Sequence, residues 1–83
     1  MFTVYVLQDE NGKIYKGLTN NLARRFNEHL SGETRTTSMM GELKIVYSEE
    51  FKDFKKARAR EVYFKTASGR RFLKTKFAAV AQR

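Results

Sequence analysis

Two residue types that shape many small proteins, cysteine and proline, are absent from this chain of 83 residues. Without cysteine the chain forms no disulfide and no thiolate metal site, and its composition fits the reducing cytoplasm. Without proline, glycine, asparagine and aspartate must mark the boundaries of helices and strands. The length is that of one domain, which we expect to span residues 1–83.

Long apolar segments are missing as well. No segment approaches the ~20 apolar residues that a membrane-spanning helix needs, so we expect no membrane partner. The N-terminus lacks the basic region and the apolar run of a secretory signal peptide, which favours a cytoplasmic location.

The positive charge is concentrated in the C-terminal third. Residues 1–51 hold 6 Lys and Arg against 7 Asp and Glu, whereas residues 52–83 hold 11 against 2. The net charge of +8 therefore comes entirely from the second segment. A solvated basic face or a membrane-surface patch would have the same charge, but an asymmetry of this size favours nucleic acid as the partner.

Segments rich in β-branched and aromatic residues predict three strands, and helical spacing of apolar residues predicts three helices. The strands cover residues 2–8, 13–18 and 43–48, and the helices cover about 22–31, 54–67 and 70–80. Asn20 or Asn21 can cap the first helix, Asp53 can cap the second, and Ser68-Gly69 is predicted to end it. The polar residues 33–42 are predicted to form a loop. This order predicts an α+β fold, a small three-stranded antiparallel sheet flanked by three helices.

Arg25 and His29 lie four residues apart, at the edge of an apolar stripe formed by Leu22, Phe26 and Leu30. On a helix this spacing places both on one face, where they can line a cleft. Taken singly, a lone histidine is more often a boundary residue and a lone arginine is usually solvated. The tyrosine-bearing strand that leads into their helix favours a shared site.

The two hairpin strands carry one tyrosine each, Tyr5 and Tyr15, which usually means packing. A shared catalytic role requires both rings on one face of the sheet. A two-residue turn would place Tyr15 opposite Gln8, with the rings on opposite faces. A three-residue loop over 10–12 would place Tyr15 opposite Leu7, with both rings on one face. A catalytic site therefore requires the longer loop, with its last glycine in the left-handed region.

Glu61 is the third candidate, because Phe54, Ala57 and Phe64 surround it in the spacing of a core-facing stripe. An unpaired buried carboxylate is costly, so it must be ion-paired, protonated or bound to a metal. The spacing supports a buried salt bridge, for instance to Arg25, about as well as a metal site. A hard cation such as Mg²⁺ needs few protein ligands, because water and a substrate phosphate supply the rest.

Together these residues resemble a known family. The ordered set is Tyr5, Tyr15-Lys16-Gly17-Leu18-Thr19, Asn21-Leu22, Arg25, His29 and Glu61. It resembles the GIY-YIG nuclease superfamily, and most closely its small stand-alone bacterial branch. The tail from Glu61 through Lys65-Thr66 and Ser68-Gly69-Arg70-Arg71-Phe72-Leu73 is similar to that branch too, so the likeness covers residues 2–76.

The resemblance implies a metal-dependent endonuclease that hydrolyses phosphodiester bonds, of DNA rather than RNA. Tyr5 and Tyr15 would take the places of the two motif tyrosines, one of them helping to deprotonate the attacking water. Arg25 would contact the scissile phosphate, and His29 matches a histidine of some members. Glu61 would bind the single divalent metal, Mg²⁺ in preference to Mn²⁺.

Some positions depart from the family's pattern. Thr3-Val4 stands where the first motif has Gly-Ile, and Lys16 stands where the second has its central isoleucine. Many members have an asparagine downstream of the glutamate, whereas none follows Glu61 here. Gly17 keeps the motif glycine, where the chain must pass close to its neighbours.

Six basic residues are predicted to contact the nucleic-acid backbone. They are Lys16, Lys65, Arg70, Arg71, Lys74 and Lys76. Contacts of this kind make binding depend steeply on salt and little on sequence, so selectivity would come from the shape of the substrate.

Two other interpretations stay open, and the sequence does not indicate an oligomeric state. A catalytically weak nucleic-acid-binding module would keep the fold, and the missing asparagine favours it. A non-enzymatic interaction protein would use the tyrosines and Glu61 only for packing. In the enzyme, Glu61 would face an open cleft with Tyr5, Tyr15 and Arg25, whereas in the interaction protein a salt bridge would seal it.

Overall fold

A computed structural model describes residues 1–32 and 41–81 of the chain, with side chains up to residue 76. Within these residues the strands are β1 (Phe2–Asp9), β2 (Ile14–Thr19) and β3 (Leu43–Phe51), and the helices are α1 (Leu22–Leu30), α2 (Phe54–Tyr63) and α3 (Ala67–Ala81). The strands form an antiparallel sheet in the order β2-β1-β3. The predicted α+β fold is confirmed, while most of the loop predicted for 33–42 lies outside the described residues.

The β1–β2 hairpin has the register that a shared tyrosine site requires. Tyr15 pairs with Leu7, and the N–H of Asp9 donates to the carbonyl of Lys13 at 3.0 Å, which closes a three-residue loop. Gly12 ends that loop with φ of 87°, a left-handed conformation that glycine adopts at little cost. The predicted loop length and register are therefore confirmed.

One face of β1 packs against the two C-terminal helices. Val4 and Val6 are fully buried there against Ala57 and Phe64 at α2 and Leu73 of α3. Each fully buried side chain of this kind contributes about 1.5–3 kcal/mol to folding. This cluster is the larger of two hydrophobic cores and fixes α2 and α3 on the sheet.

The other face of β1 packs against α1. Tyr5 and Leu7 are fully buried there, together with Leu43 of β3, and Leu22 and Phe26 of α1 cover them. Alternate residues of a strand point to opposite faces of a sheet, so β1 separates the two cores. Asn21 caps α1 as predicted, with its side chain accepting the N–H of Arg24.

The predicted boundary between the second and third helices is wrong. α2 ends at Tyr63 rather than near residue 67, and α3 begins at Ala67 rather than near residue 70. The hydroxyl of Thr66 accepts the N–H of Gly69 at 3.1 Å and so caps α3. A Cβ on Gly69 would lie 2.0 Å from the carbonyl oxygen of Tyr63. This glycine therefore allows α3 to approach the end of α2 and does not break a helix.

Two residues of the predicted apolar stripes are exposed. Leu30 is 55% exposed and Phe54 is 51% exposed. Leu30 is the last residue of α1 and Phe54 is the first residue of α2. Each apolar stripe therefore extends at a helix end beyond the part that packs on the sheet. In the described part of the chain, no helix is long and apolar enough to cross a membrane.

Candidate active site

A buried hydrogen bond joins β1 to α1. The hydroxyl oxygen of Tyr5 lies 2.8 Å from Nε2 of His29, and their side chains are almost completely buried. Either polar group would be costly to bury alone, so each satisfies the other. The tautomer of the imidazole decides which of the two donates.

Tyr15 completes an aromatic cluster around this bond. Its ring centroid lies 4.8 Å from that of His29 and 6.1 Å from that of Tyr5. Tyr15 is only partly buried, whereas Tyr5 is 0% exposed. Of the two phenols, Tyr15 is therefore the one that solvent and a substrate can reach.

Gly17 makes room for this cluster. A Cβ at Gly17 would lie 2.5 Å from both Cζ and the hydroxyl oxygen of Tyr5, and 2.9 Å from a ring carbon of Tyr15. A larger residue would therefore displace both rings. The glycine lets the Tyr5 ring lie across β2, which is the edge strand of the sheet.

Arg25 lies beside the two phenols and is held by an acid on its own helix. Its Nη1 donates to Oε1 of Glu28 at 2.8 Å. The pKa of Arg25 is raised, first by Glu28 and also by the hydroxyls of Tyr5 and Tyr15. Arg24 also pairs with Glu28, at 3.7 Å, but it is more exposed. The guanidinium of Arg25 is thus a fixed positive charge at the phenol cluster.

Burial sets the protonation states of the cluster. Burial raises the pKa of Tyr5, Tyr15 raises it further, and Arg25 only partly offsets this. Burial and Arg25 lower the pKa of His29, while Glu28 opposes the shift. Tyr5 is therefore a neutral phenol and His29 a neutral imidazole at physiological pH.

Glu61 is buried on a different helix from the phenol cluster. It is 8% exposed, and α2 packs on the Val4 face of the sheet. Its Oε1 lies 2.5 Å from Arg58 and its Oε2 lies 3.8 Å from Lys65. These contacts stay within α2 and the turn that follows it. The suggested salt bridge with Arg25 is not among the described ion pairs, because Arg25 pairs with Glu28 instead.

The side of α2 that carries Glu61 follows the edge strand β2. At one end, Phe54 shares a cavity of about 390 Å³ with Leu18 and Arg25. At the other end, Lys65 is close enough to Lys16 to lower its pKa. Residues at these spacings lie along one side of a helix. Glu61 therefore lies on α2 between two points that both adjoin β2.

Glu28 is the part of the site that sequence reasoning missed. Its carboxylate forms an ion pair with Arg25, which lies three residues earlier on α1, and also interacts electrostatically with His29. The i,i+3 spacing of an acid and an arginine on one helix was the available signal.

The structure brings four of the six predicted nucleic-acid contacts together. Lys16, Lys65 and Arg70 lie close together, since Arg70 and Lys65 both lower the pKa of Lys16. Lys74 lines the same cavity as Lys16 and Arg70. Arg71 and Lys76 are exposed at two other places on α3: Arg71 donates to the Ser68 hydroxyl, and Lys76 lies 5.3 Å from the centre of the Phe72 ring.

Comparison with known proteins identifies the family. The model of the GIY-YIG catalytic domain matches residues 1–76. The chain belongs to the GIY-YIG family. Membership in this nuclease family implies a nucleic-acid substrate and, in general, a divalent metal.

Relatives and a solved structure agree with this assignment of the GIY-YIG family. A UPF0213 protein of Clostridium perfringens is 38% identical over 63 residues, covering 75% of this chain and 68% of that protein. A UPF0213 protein of Limosilactobacillus reuteri is 36% identical over 67 residues, covering 77% and 70%. The solution NMR structure of a UPF0213 protein from Bacillus halodurans matches with a TM-score of 0.57 and 26% identity, covering 90% of this chain and 84% of that one.

The buried environment of His29 has a measurable consequence for stability. The lowered pKa of His29 means that the unfolded chain binds this proton more readily than the folded one. The histidine contribution to stability is therefore complete above the unfolded pKa of about 6.5 and is lost as pH falls from there towards the folded pKa. His29 is the only histidine of the chain, so its imidazole NMR signals can be followed without overlap from another histidine. We expect a midpoint below 6.5, and a midpoint above that value would contradict the site electrostatics.

Proposed function

We propose that the chain is a metal-dependent endonuclease that hydrolyses phosphodiester bonds, of DNA in preference to RNA, with little sequence specificity. The observation that carries the proposal is the meeting of Tyr5, Tyr15, Arg25 and His29 at one edge of a GIY-YIG sheet. In this proposal residues 1–83 act as a single nuclease domain in the cytoplasm.

Arg25 is proposed to hold the scissile phosphate. Its side chain is about one-third exposed and lines a cavity together with Thr19 and Asn20. A guanidinium donates paired hydrogen bonds to phosphate oxygens and offsets the charge that grows on them in the transition state. The ion pair with Glu28 fixes its position before the substrate binds.

Tyr15 is proposed to form a hydrogen bond with the attacking water. Tyr5 is proposed to position the Tyr15 ring. Tyr15 is the accessible phenol, whereas Tyr5 is sealed in the core with its hydroxyl bonded to His29. The Tyr5 ring and the imidazole pack against Tyr15 and restrict its ring. A restricted hydroxyl can hold a water in line with the phosphorus and accept its hydrogen bond.

Glu61 is proposed to hold the divalent ion. Among the described residues no group of three His, Cys, Asp or Glu side chains is arranged to bind a metal, so one carboxylate with water and substrate phosphate must suffice. Both carboxylate oxygens face cations, but Arg58 and Lys65 are 56% and 54% exposed and can turn towards solvent. Bound there, Mg²⁺ or Mn²⁺ would stabilise negative charge on the leaving oxygen.

The second candidate is a nucleic-acid-binding module of the same fold that cuts weakly or not at all. The ion pairs of Glu61 favour it, since they occupy the carboxylate that would bind the metal. Cleavage assays decide between the two candidates.

Replacement of Arg25 by Ala should reduce the cleavage rate by about 100- to 1,000-fold and weaken substrate binding by less than about tenfold. The adjacent Arg24→Ala is the matched control, because both arginines pair with Glu28 on the same helix. Single-turnover cleavage and binding in chelator measure the two effects separately. Equal losses in rate and affinity would reduce Arg25 to a binding contact.

Replacement of Glu61 by Gln should bring cleavage in Mg²⁺ down to the background seen with chelator, while the circular dichroism spectrum stays that of the wild type. Glutamine keeps the shape of the side chain but loses the charge that a hard cation needs. Glu50→Gln, at an exposed position of β3, is the control and should cut normally. Metal-dependent cleavage by a pure Glu61→Gln preparation would refute the metal assignment.

A further inference from the structure

A second cavity lies where α3 passes the β1–β2 hairpin. Its volume is about 410 Å³, and its lining includes the apolar Ile14 and Leu73 beside the cationic Lys16, Arg70 and Lys74. None of these residues lines the cavity that contains Arg25. The volume falls within the range of small-molecule sites. The cavity is far too small for a nucleic-acid duplex.

Among the residues that the structure describes, the three cations of this cavity have no acidic partner. No ion pair within residues 1–32 and 41–76 involves Lys16, Arg70 or Lys74. Burial lowers the pKa of Lys16, and the positive charge of Arg70 lowers it further. Like charges held together raise the free energy of the molecule. An anion in the cavity would relieve that repulsion.

We propose that this cavity binds one unpaired nucleotide of the substrate. Lys16, Arg70 and Lys74 would hold its phosphate, and the partly buried Ile14 would contact the face of its base. A base must leave the duplex stack to enter such a pocket, and an already unpaired base does so without the cost of unpairing. The proposal rests on the nuclease function and names its substrate class: nucleic acid with a single-stranded flap or extension beside the cut.

The position of the cavity connects it to the phenol cluster. Lys16 follows Tyr15 directly in β2, and adjacent residues of a strand point to opposite faces. Because β2 is an edge strand, a nucleic-acid strand that crosses this edge meets Tyr15 on one side and Lys16 on the other. The unpaired nucleotide would thus lie close to the phosphate at Arg25. A free mononucleotide offers the same phosphate and base, so the experiment must separate the two sources.

The test compares the binding of two fluorescent DNA substrates, a blunt duplex and the same duplex with a single-stranded flap, in the presence of EDTA. The double variant Arg70→Gln/Lys74→Gln removes two cations at exposed positions of α3, and Lys44→Gln/Lys52→Gln removes two exposed cations elsewhere. We expect the wild type and the control to bind the flap substrate about tenfold tighter than the blunt duplex. The cavity variant should bind both substrates alike, since each lost charge-assisted contact is worth about tenfold or more in affinity.

Two results would overturn the proposal. One is a cavity variant that keeps the full flap preference, because these cations would then serve only general attraction to DNA. The other is thymidine monophosphate that binds at the cavity without displacing the flap substrate, which would indicate a separate small-molecule site. Because EDTA prevents metal-dependent cutting, the binding result is independent of catalysis. A chain that prefers flaps but never cuts would refute the nuclease and leave the nucleotide site standing.

Discussion

The hydrogen bond between Tyr5 and His29 is the interaction on which the candidate site depends. It ties the central strand to α1 in the dry interior, and it sets the distance at which α1 presents Arg25 beside β2. Both partners are held neutral by burial. The bare backbone of Gly17 is the condition for this arrangement, because any side chain there would push the Tyr5 ring out of place.

The edge strand β2 adjoins the phenol cluster, the basic cavity and the side of α2 that carries Glu61. One of its faces presents Tyr15 to the cluster with Arg25, and the other presents Lys16 to the basic cavity against α3. The side of α2 that carries Glu61 runs along the same strand. In the proposed function this single exposed edge serves the phosphate, the metal and an unpaired nucleotide. The two hydrophobic cores on either side of β1 keep these elements in place.

The order of elements could be predicted because it depends on local signals. Asn11-Gly12 fits a two-residue turn as well as a three-residue loop, so the register was predicted from the requirement that Tyr5 and Tyr15 share one face. The boundary between α2 and α3 could not be predicted, because Gly69 is needed for a contact with Tyr63 that exists only in the folded chain. The partners of Glu61 and the role of Glu28 also depend on how side chains meet in space. The exposure of Leu30 and Phe54 shows that spacing predicts which side of a helix is apolar but not how far the sheet extends beneath it.

The accessible phenol of Tyr15 is proposed to take part in phosphodiester cleavage, and the single-turnover cleavage rate of Tyr15→Phe is the decisive measurement. This variant removes one hydroxyl and leaves the ring that packs against His29, while Tyr63→Phe on α2 removes one hydroxyl outside the site. We expect a loss of about 100-fold or more for Tyr15→Phe and an unchanged rate for Tyr63→Phe. A folded Tyr15→Phe protein that cleaves DNA at the wild-type rate would contradict it.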